Sequence, residues 1–239
     1  MNPTLQIVTA VHNEENNISQ TLTELYKVFQ TNNIPVELII CEDGSTDKTV
    51  KEIEKTKAYV PLKLITGSQR KGYSKAVLDG LSFASAPYIA FVDSDAQYLP
   101  DDLFKLYQNR YQAQYIMGFR HPRRDPLIRK FISYLFKLAY KVFTSNRYQD
   151  PSSSCLIIEM SALKRILAQP IGLLPQGFWW EFNAYANKLK IKHLELPLTH
   201  LPRPAGHSDI YSFKKTPLIA LNHLSKLVQL RHNLKKISS

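Results

Sequence analysis

Across residues 1–111 short apolar runs, each closed by acidic or turn-forming residues, alternate with segments whose apolar positions recur at helical spacing. Leu5–Val11 predicts a buried strand closed by His12-Asn13-Glu14-Glu15. Asn16–Gln30 follows, with Ile18, Leu22, Leu25, Val28 and Phe29 on one helical face. Val36–Cys41 predicts a second strand. The turn Asp43-Gly44-Ser45-Thr46-Asp47 then offers N-cap residues to a helix running to about Lys57. Leu62–Ile65 and Tyr88–Val92 read as strands, and Ser74–Ala84 and Asp101–Tyr111 as helices. Strands alternating with helices predict an α/β fold: a Rossmann-like, mostly parallel sheet with helices on both faces.

That topology carries a geometric expectation. Ligands of open α/β sheets bind beyond the carboxyl ends of the strands. Three acidic clusters lie at such ends: Asn13-Glu14-Glu15, Glu42-Asp43 and Asp93-Ser94-Asp95. Each alone reads better as a solvated loop; the three together share the phase of the strand pattern and point to one functional edge.

The second half is less regular. Tyr115–Phe119 predicts a further strand and Leu127–Phe143 a helix free of Pro and Gly. On that helix Lys130, Tyr134, Lys137 and Lys141 share a face, while Ile128, Phe131, Leu135 and Leu138 lie elsewhere on its surface. Two readings stand for it: a basic amphipathic helix lying on an anionic membrane, or an ordinary surface helix with its apolar side in the core. Thr216–Lys236 is a second candidate of the same kind, which divides the chain into 1–215 and a C-terminal basic amphipathic helix or tail, 216–239.

Charge is distributed unevenly. The net charge is +11, yet residues 1–109 carry 14 acidic and 10 basic side chains, so the excess sits in 110–150 and 203–239. A positive field attracts phosphates, whether of nucleic acid, an anionic membrane surface or a phosphorylated small molecule. No nucleic-acid-binding motif is present. No run of about 18 apolar residues is present and the first residues lack a signal-peptide layout, so cytoplasmic folding is expected. Two cysteines, Cys41 and Cys155, are too few for a disulfide framework or a zinc site.

Asp93-Ser94-Asp95 is the sharpest chemical feature. Hard divalent cations such as Mg²⁺ and Mn²⁺ take oxygen ligands, usually one or two carboxylates plus substrate phosphates. Two carboxylates one residue apart at a strand tip, with the neutral oxygen of Gln97 nearby, suit a cation bridging a diphosphate. Other nucleotide motifs fail: no Gly-x-Gly-x-x-Gly follows the first strand, and Tyr73 stands where a P-loop spaced from Gly67 to Gly72 needs its lysine. Ser152-Ser153-Ser154-Cys155 lacks elbow glycines, so a nucleophile there is not expected.

These residues resemble the family 2 glycosyltransferases of GT-A fold, and more narrowly the dolichyl- or polyprenyl-phosphate sugar synthases, over residues 4–215. Thr9-Ala10-Val11-His12-Asn13-Glu14-Glu15 is similar to the family's Pro-x-Tyr-Asn-Glu, and Cys41–Asp47 to its Asp-Asp-Gly-Ser-x-Asp. Asp93-Ser94-Asp95-Ala96-Gln97 with Pro100 resembles the metal motif Asp-x-Asp-x-Gln. Gly118-Phe119-Arg120 resembles a Gly-Ser-Arg, and Arg203–Ser208 an Arg-x-x-Gly-x-Ser. The resemblance implies that Ala10, His12, Glu14 and Asp43 line the base and ribose pocket. Asp93, Asp95 and Gln97 would hold Mg²⁺ or Mn²⁺, and Arg120, Arg129 and Arg203 would meet phosphate oxygens of donor or acceptor. Ala10 and His12 depart from the usual Pro and Tyr. Asp209 stands where a lysine is frequent; either Lys214 or Lys215 supplies that charge from a few residues further on, or the acceptor site differs.

The implied activity is metal-dependent, inverting transfer of a sugar from a GDP- or UDP-sugar to a polyprenyl phosphate, at the cytosolic membrane face and without a nucleic-acid partner. A phosphate monoester acceptor is already anionic and needs guanidinium groups rather than a base. A sugar-hydroxyl acceptor would need a carboxylate base, for which Asp150 and Glu181 stand as candidates; Glu181 reads equally as a cap or a solvent-facing residue. A non-catalytic phosphate-binding module is the reading from another class.

Overall fold

The computed structural model describes residues 2–67, 69–121, 127–146, 148–174, 177–199, 201 and 216–237, with 127–132 and 216–224 described as helix backbone only. The first half alternates as expected: β1 (Leu5–Val11), α1 (Ile18–Thr31), β2 (Val36–Glu42), α2 (Thr49–Thr56), β3 (Leu62–Thr66), α3 (Tyr73–Ser82), β4 (Tyr88–Phe91) and α4 (Pro100–Gln108). The second half adds β5 (Tyr115–Arg120), α5 (Leu127–Thr144), β6 (Leu156–Glu159), α6 (Met160–Leu167), α7 (Phe178–Lys188), β7 (His193–Leu198) and α8 (Thr216–Lys236). Pro100 at the first helical position of α4 uses its fixed φ where a missing N–H is harmless.

The seven strands form one sheet in the order β3-β2-β1-β4-β6-β5-β7. Strand β1 pairs in parallel with β2 on one side and with β4 on the other, so the chain reverses its winding there. Only β6 runs against its neighbours: Phe91 of β4 and Met117 of β5 both face Leu156, the first residue of β6. The start of β6 therefore lies at the sheet edge where β1, β2, β4 and β5 end. This antiparallel return is absent from the sequence reading, and it moves the segment preceding β6 to the functional edge.

Strand side chains alternate between two cores, as the pleat requires. Leu38, Ile40 and Ala90 pack with Leu22, Phe29, Ile53 and Leu103 of α1, α2 and α4. Ile39, Cys41, Ile89 and Phe91 pack with Val77, Tyr140, Leu163 and Phe182 of α3, α5, α6 and α7. Leu227, Leu230 and Leu234 of α8 enter that second core and are fully buried or nearly so. Helices thus cover both faces.

Helix α5 carries two apolar faces rather than one. Phe136, Tyr140 and Phe143 turn into the core, while Tyr134, Leu135, Leu138 and Val142 are exposed, Val142 to 70 %. One face is packed in the core, and a second apolar ridge is left outward.

Candidate active site

The site edge is assembled from strand tips. Beyond β1, His12 brings its Nδ1 within 3.0 Å of the Asp43 carbonyl oxygen. A carbonyl oxygen only accepts, so Nδ1 carries the proton in this contact. The loops after β1 and β2 lace together: Asn13 N–H donates to Ser45 Oγ, Thr46 N–H to Asn13 Oδ1, Glu14 N–H to Thr49 Oγ1 and Lys48 N–H to Glu15 Oε2. Glu14 is buried at 7 % exposure, and its carboxylate accepts from Asn17 Nδ2. Asp43 is buried too. Its carboxylate accepts the main-chain N–H groups of Lys71 (2.6 Å) and Gly72 (2.9 Å), fastening the β3–α3 turn to the tip of β2. Gly44, at φ +66°, permits this approach: a Cβ there would stand 2.6 Å from Arg70 N. Residues 69–72 lead directly into α3.

At the β1–β4 switch point Ser94 Oγ donates to the Ala10 carbonyl, 3.0 Å. Asp93 and Asp95 flank it, both half-buried. Asp93 Oδ1 accepts the Tyr73 hydroxyl (2.8 Å), and Oδ2 accepts Ser154 Oγ, which arrives from the start of the antiparallel β6. Trp179 Nε1 donates in turn to the Tyr73 oxygen, 2.7 Å. Burial and then the Asp93 charge push the Tyr73 phenol well above its ordinary range, so it stays a donor. Asp95 Oδ1 accepts Gln97 N–H, 3.2 Å. The Gln97 side-chain amide donates to the Leu201 carbonyl, 3.2 Å, which leaves its oxygen on the opposite branch. Two carboxylates and an amide oxygen form a hard-oxygen donor set that fits Mg²⁺ or Mn²⁺. Among the described residues no group of three or more His, Cys, Asp or Glu side chains could hold a metal.

Residues 149–152, just before Ser154, line a cleft of about 430 Å³. Arg120, at the tip of β5, lines it. Its guanidinium grips Asp150 in bidentate fashion, Nε to Oδ2 at 2.6 Å and Nη2 to Oδ1 at 2.9 Å, and Nη2 also donates to Ser152 Oγ at 2.6 Å. Both partners of this pair are little exposed, 14 % and 8 % for their side chains. Lys137, His121, Tyr134 and Trp180 complete the walls that matter chemically. The Asp150–Ser154 segment thus touches both the acidic edge and the cleft: Ser154 reaches Asp93, and Asp150, Pro151 and Ser152 line the cleft. Its signal in the sequence was a polar run immediately before a four-residue apolar one. Arg203 and Lys214 lie outside the described residues, as does the side chain of Arg129.

Glu181 is fully buried in the first turn of α7 and does not face solvent. Its Oε2 accepts the N–H groups of Gly172 (3.0 Å) and Leu174 (3.2 Å), anchoring the preceding loop. Burial raises its pKa above the ordinary 4.5. The folded carboxyl holds its proton to higher pH than the unfolded chain does. Its stabilising contribution is present below 4.5 and is lost as pH rises through the raised value. Glu181→Gln keeps an acceptor oxygen and removes the charge. It is expected to melt above wild type near neutral pH and to lose that advantage as pH falls toward 4.5, measured by scanning fluorimetry across pH. The cysteines are inert: burial pushes the Cys41 thiol up to about 12, and that of Cys155 well above its usual range.

The fold is that of the GT-A glycosyltransferases. Glucosyl-3-phosphoglycerate synthase from Mycobacterium tuberculosis, solved with Mn²⁺, uridine diphosphate and glucosyl-3-phosphoglycerate, aligns with a TM-score of 0.73. The alignment covers 96 % of this chain and 80 % of that one at 16 % identity, a likeness of fold. The profile of glycosyl transferase family 2 matches residues 6–171, and the chain belongs to that family and is a glycosyltransferase. An uncharacterized protein of Methanocaldococcus jannaschii is 31 % identical over 64 % of this chain and 70 % of its own length. Dolichol-phosphate mannosyltransferases of Pyrococcus furiosus and Saccharomyces cerevisiae are 23 % and 25 % identical, over 98 % and 83 % of this chain. The chain spans 66 % of the Pyrococcus enzyme's length and 73 % of the yeast enzyme's.

Proposed function

We propose that the protein transfers a sugar from a nucleoside-diphosphate sugar to a polyprenyl phosphate, working peripherally at the cytosolic face of an anionic membrane. The observation that carries the acceptor is the state of the carboxylates. A hydroxyl acceptor needs a base, yet Asp150 is clamped in a bidentate ion pair and Glu181 is buried against main-chain N–H groups. The cleft is lined by Arg120, the cation of that same ion pair, and by Lys137, which also donates to the Gln149 carbonyl; guanidinium and ammonium groups suit an acceptor that is already anionic. Tyr134 lines that cleft and also belongs to the exposed ridge of α5 with Leu135, Leu138 and Val142, so a phosphate seated at Arg120 has an apolar surface for its chain beside it. Among the described residues no helix is long and apolar enough to cross a membrane.

In this reading Ala10, His12, Glu14 and Asp43 shape the nucleoside pocket, and Asp93, Asp95 and Gln97 hold Mg²⁺ or Mn²⁺. When bound, that cation supplies charge stabilisation to the departing diphosphate. Arg120, oriented by Asp150 and Ser152, holds the acceptor phosphate, with Arg129, Arg203 and Lys214 as further cations. An acceptor phosphate oxygen forms the new bond to the anomeric carbon as the bond to the donor β-phosphate breaks. The nucleoside diphosphate leaves with the electron pair, and no proton has to move. The experiment pairs GDP- and UDP-sugars with a short polyprenyl phosphate in anionic liposomes containing Mn²⁺, against free sugars as acceptors. Sugar is expected on the lipid phosphate, with the protein floating with the vesicles. Transfer only to hydroxyl acceptors would move the assignment to a glycan-extending enzyme, and nucleotide binding without any turnover to a non-catalytic module.

A further inference from the structure

We propose that Tyr73 and Trp179 are positioning residues that fix the orientation of Asp93, a ligand in the metal reading above, on which this inference rests. The polarity of the relay is set by chemistry. An indole N–H only donates, so the Tyr73 oxygen accepts from Trp179 and the phenol proton is left for Asp93. Asp93 receives Tyr73 on one oxygen and Ser154 on the other, so both branches of the carboxylate are held from behind.

The relay is itself rigidly mounted. The Trp179 ring lies 4.6 Å from Phe91, 4.9 Å from Phe178 and 5.4 Å from Phe182, centroid to centroid. Phe91 is the last residue of β4, two before Asp93. Ser74 Oγ donates to the Leu174 carbonyl at 2.8 Å, tying the first turn of α3 to the loop that Glu181 anchors. Tyr73 is thus gripped by α3, β4 and α7 together. Partners that hydrogen-bond a ligating carboxylate set its direction, and their loss typically weakens metal binding 10- to 100-fold.

The chain contains two tryptophans, so Trp180→Phe leaves Trp179 as the single reporter. In that background Mn²⁺ is titrated with UDP and, separately, with GDP, following Trp179 emission. Nucleotide affinity is also measured in EDTA. Tyr73→Phe is expected to weaken Mn²⁺ binding about tenfold or more while metal-free nucleotide affinity stays within about twofold. Ser154→Ala, which releases the other carboxylate oxygen, is expected to act in the same direction, so the test survives if the tyrosine variant folds poorly. Unchanged Mn²⁺ affinity in both variants overturns the inference. An equal loss of metal-free nucleotide affinity also overturns it, because that is the mark of a purely structural role. Absence of Mn²⁺ binding by the parent protein with either nucleotide sinks the metal reading itself, a distinguishable result.

Discussion

Asp95→Ala is expected to lower sugar transfer by about three orders of magnitude, the equivalent of about 4 kcal/mol, and to abolish the Mn²⁺-dependent part of nucleotide binding. Asp93 is held by Tyr73 and Ser154, so its loss would also strand two donors and destabilise the fold. Asp95 is half-buried and accepts the N–H of Gln97 two residues on. Turnover is read in a radiolabelled-sugar transfer assay, and the unliganded melting midpoint is measured by fluorimetry to show that the variant is folded. Near-normal turnover in a folded Asp95→Ala protein would remove this carboxylate from the chemistry and the metal assignment with it.

The strand tips were legible because β1, β2 and β4 are apolar runs that end abruptly in acidic residues, and a parallel βα repeat sends all such ends to one edge. The other half of the site was not, for reasons of tertiary pairing. Leu156–Glu159 is a four-residue strand, and nothing local says that it runs backwards between β4 and β5. That reversal alone brings Ser154 to Asp93 and Asp150 to Arg120, partners 61 and 30 residues apart. Strand β7 was hidden by its own composition. It carries Pro197, pairs only with β5 and sits at the sheet edge, where a missing ladder donor is tolerated. On α5, which apolar face packs depends on α7 and α8, whose placement no helical period encodes. Asp43 was legible as a strand-tip acid; its bond to the β3–α3 turn was not, since it joins residues 28 and 29 positions away.

Gly118→Ala is expected to cost about 3 kcal/mol of stability and to impair transfer as well, because this glycine sits where the edge of the sheet meets the cationic cleft. Its N–H donates to the Cys155 carbonyl at 2.9 Å, and it pairs with Leu196 in the β5–β7 ladder. A Cβ at 118 would lie 1.9 Å from Leu198 Cδ1 and 2.5 Å from its Cγ, with the Cys155 oxygen at 3.2 Å on another side. Leu198 is 1 % exposed and packed in the core with Cys155 and Ile157, so it has little room to retreat. The strain must be relieved by parting β5 from β7, and Arg120 lies two residues beyond the glycine on the same strand. For a chain of this size the loss corresponds to about 6–12 °C in melting midpoint. Leu198→Ala alone opens a cavity and is destabilising in its own right, by about 2–5 kcal/mol. In the double variant the new methyl occupies space that the shortened side chain vacates, so the combined loss is expected to fall short of the sum by at least 1 kcal/mol. Strictly additive losses in that cycle, or a Gly118→Ala protein as stable as wild type, would show that the close approach of Leu198 does not govern the position of Arg120.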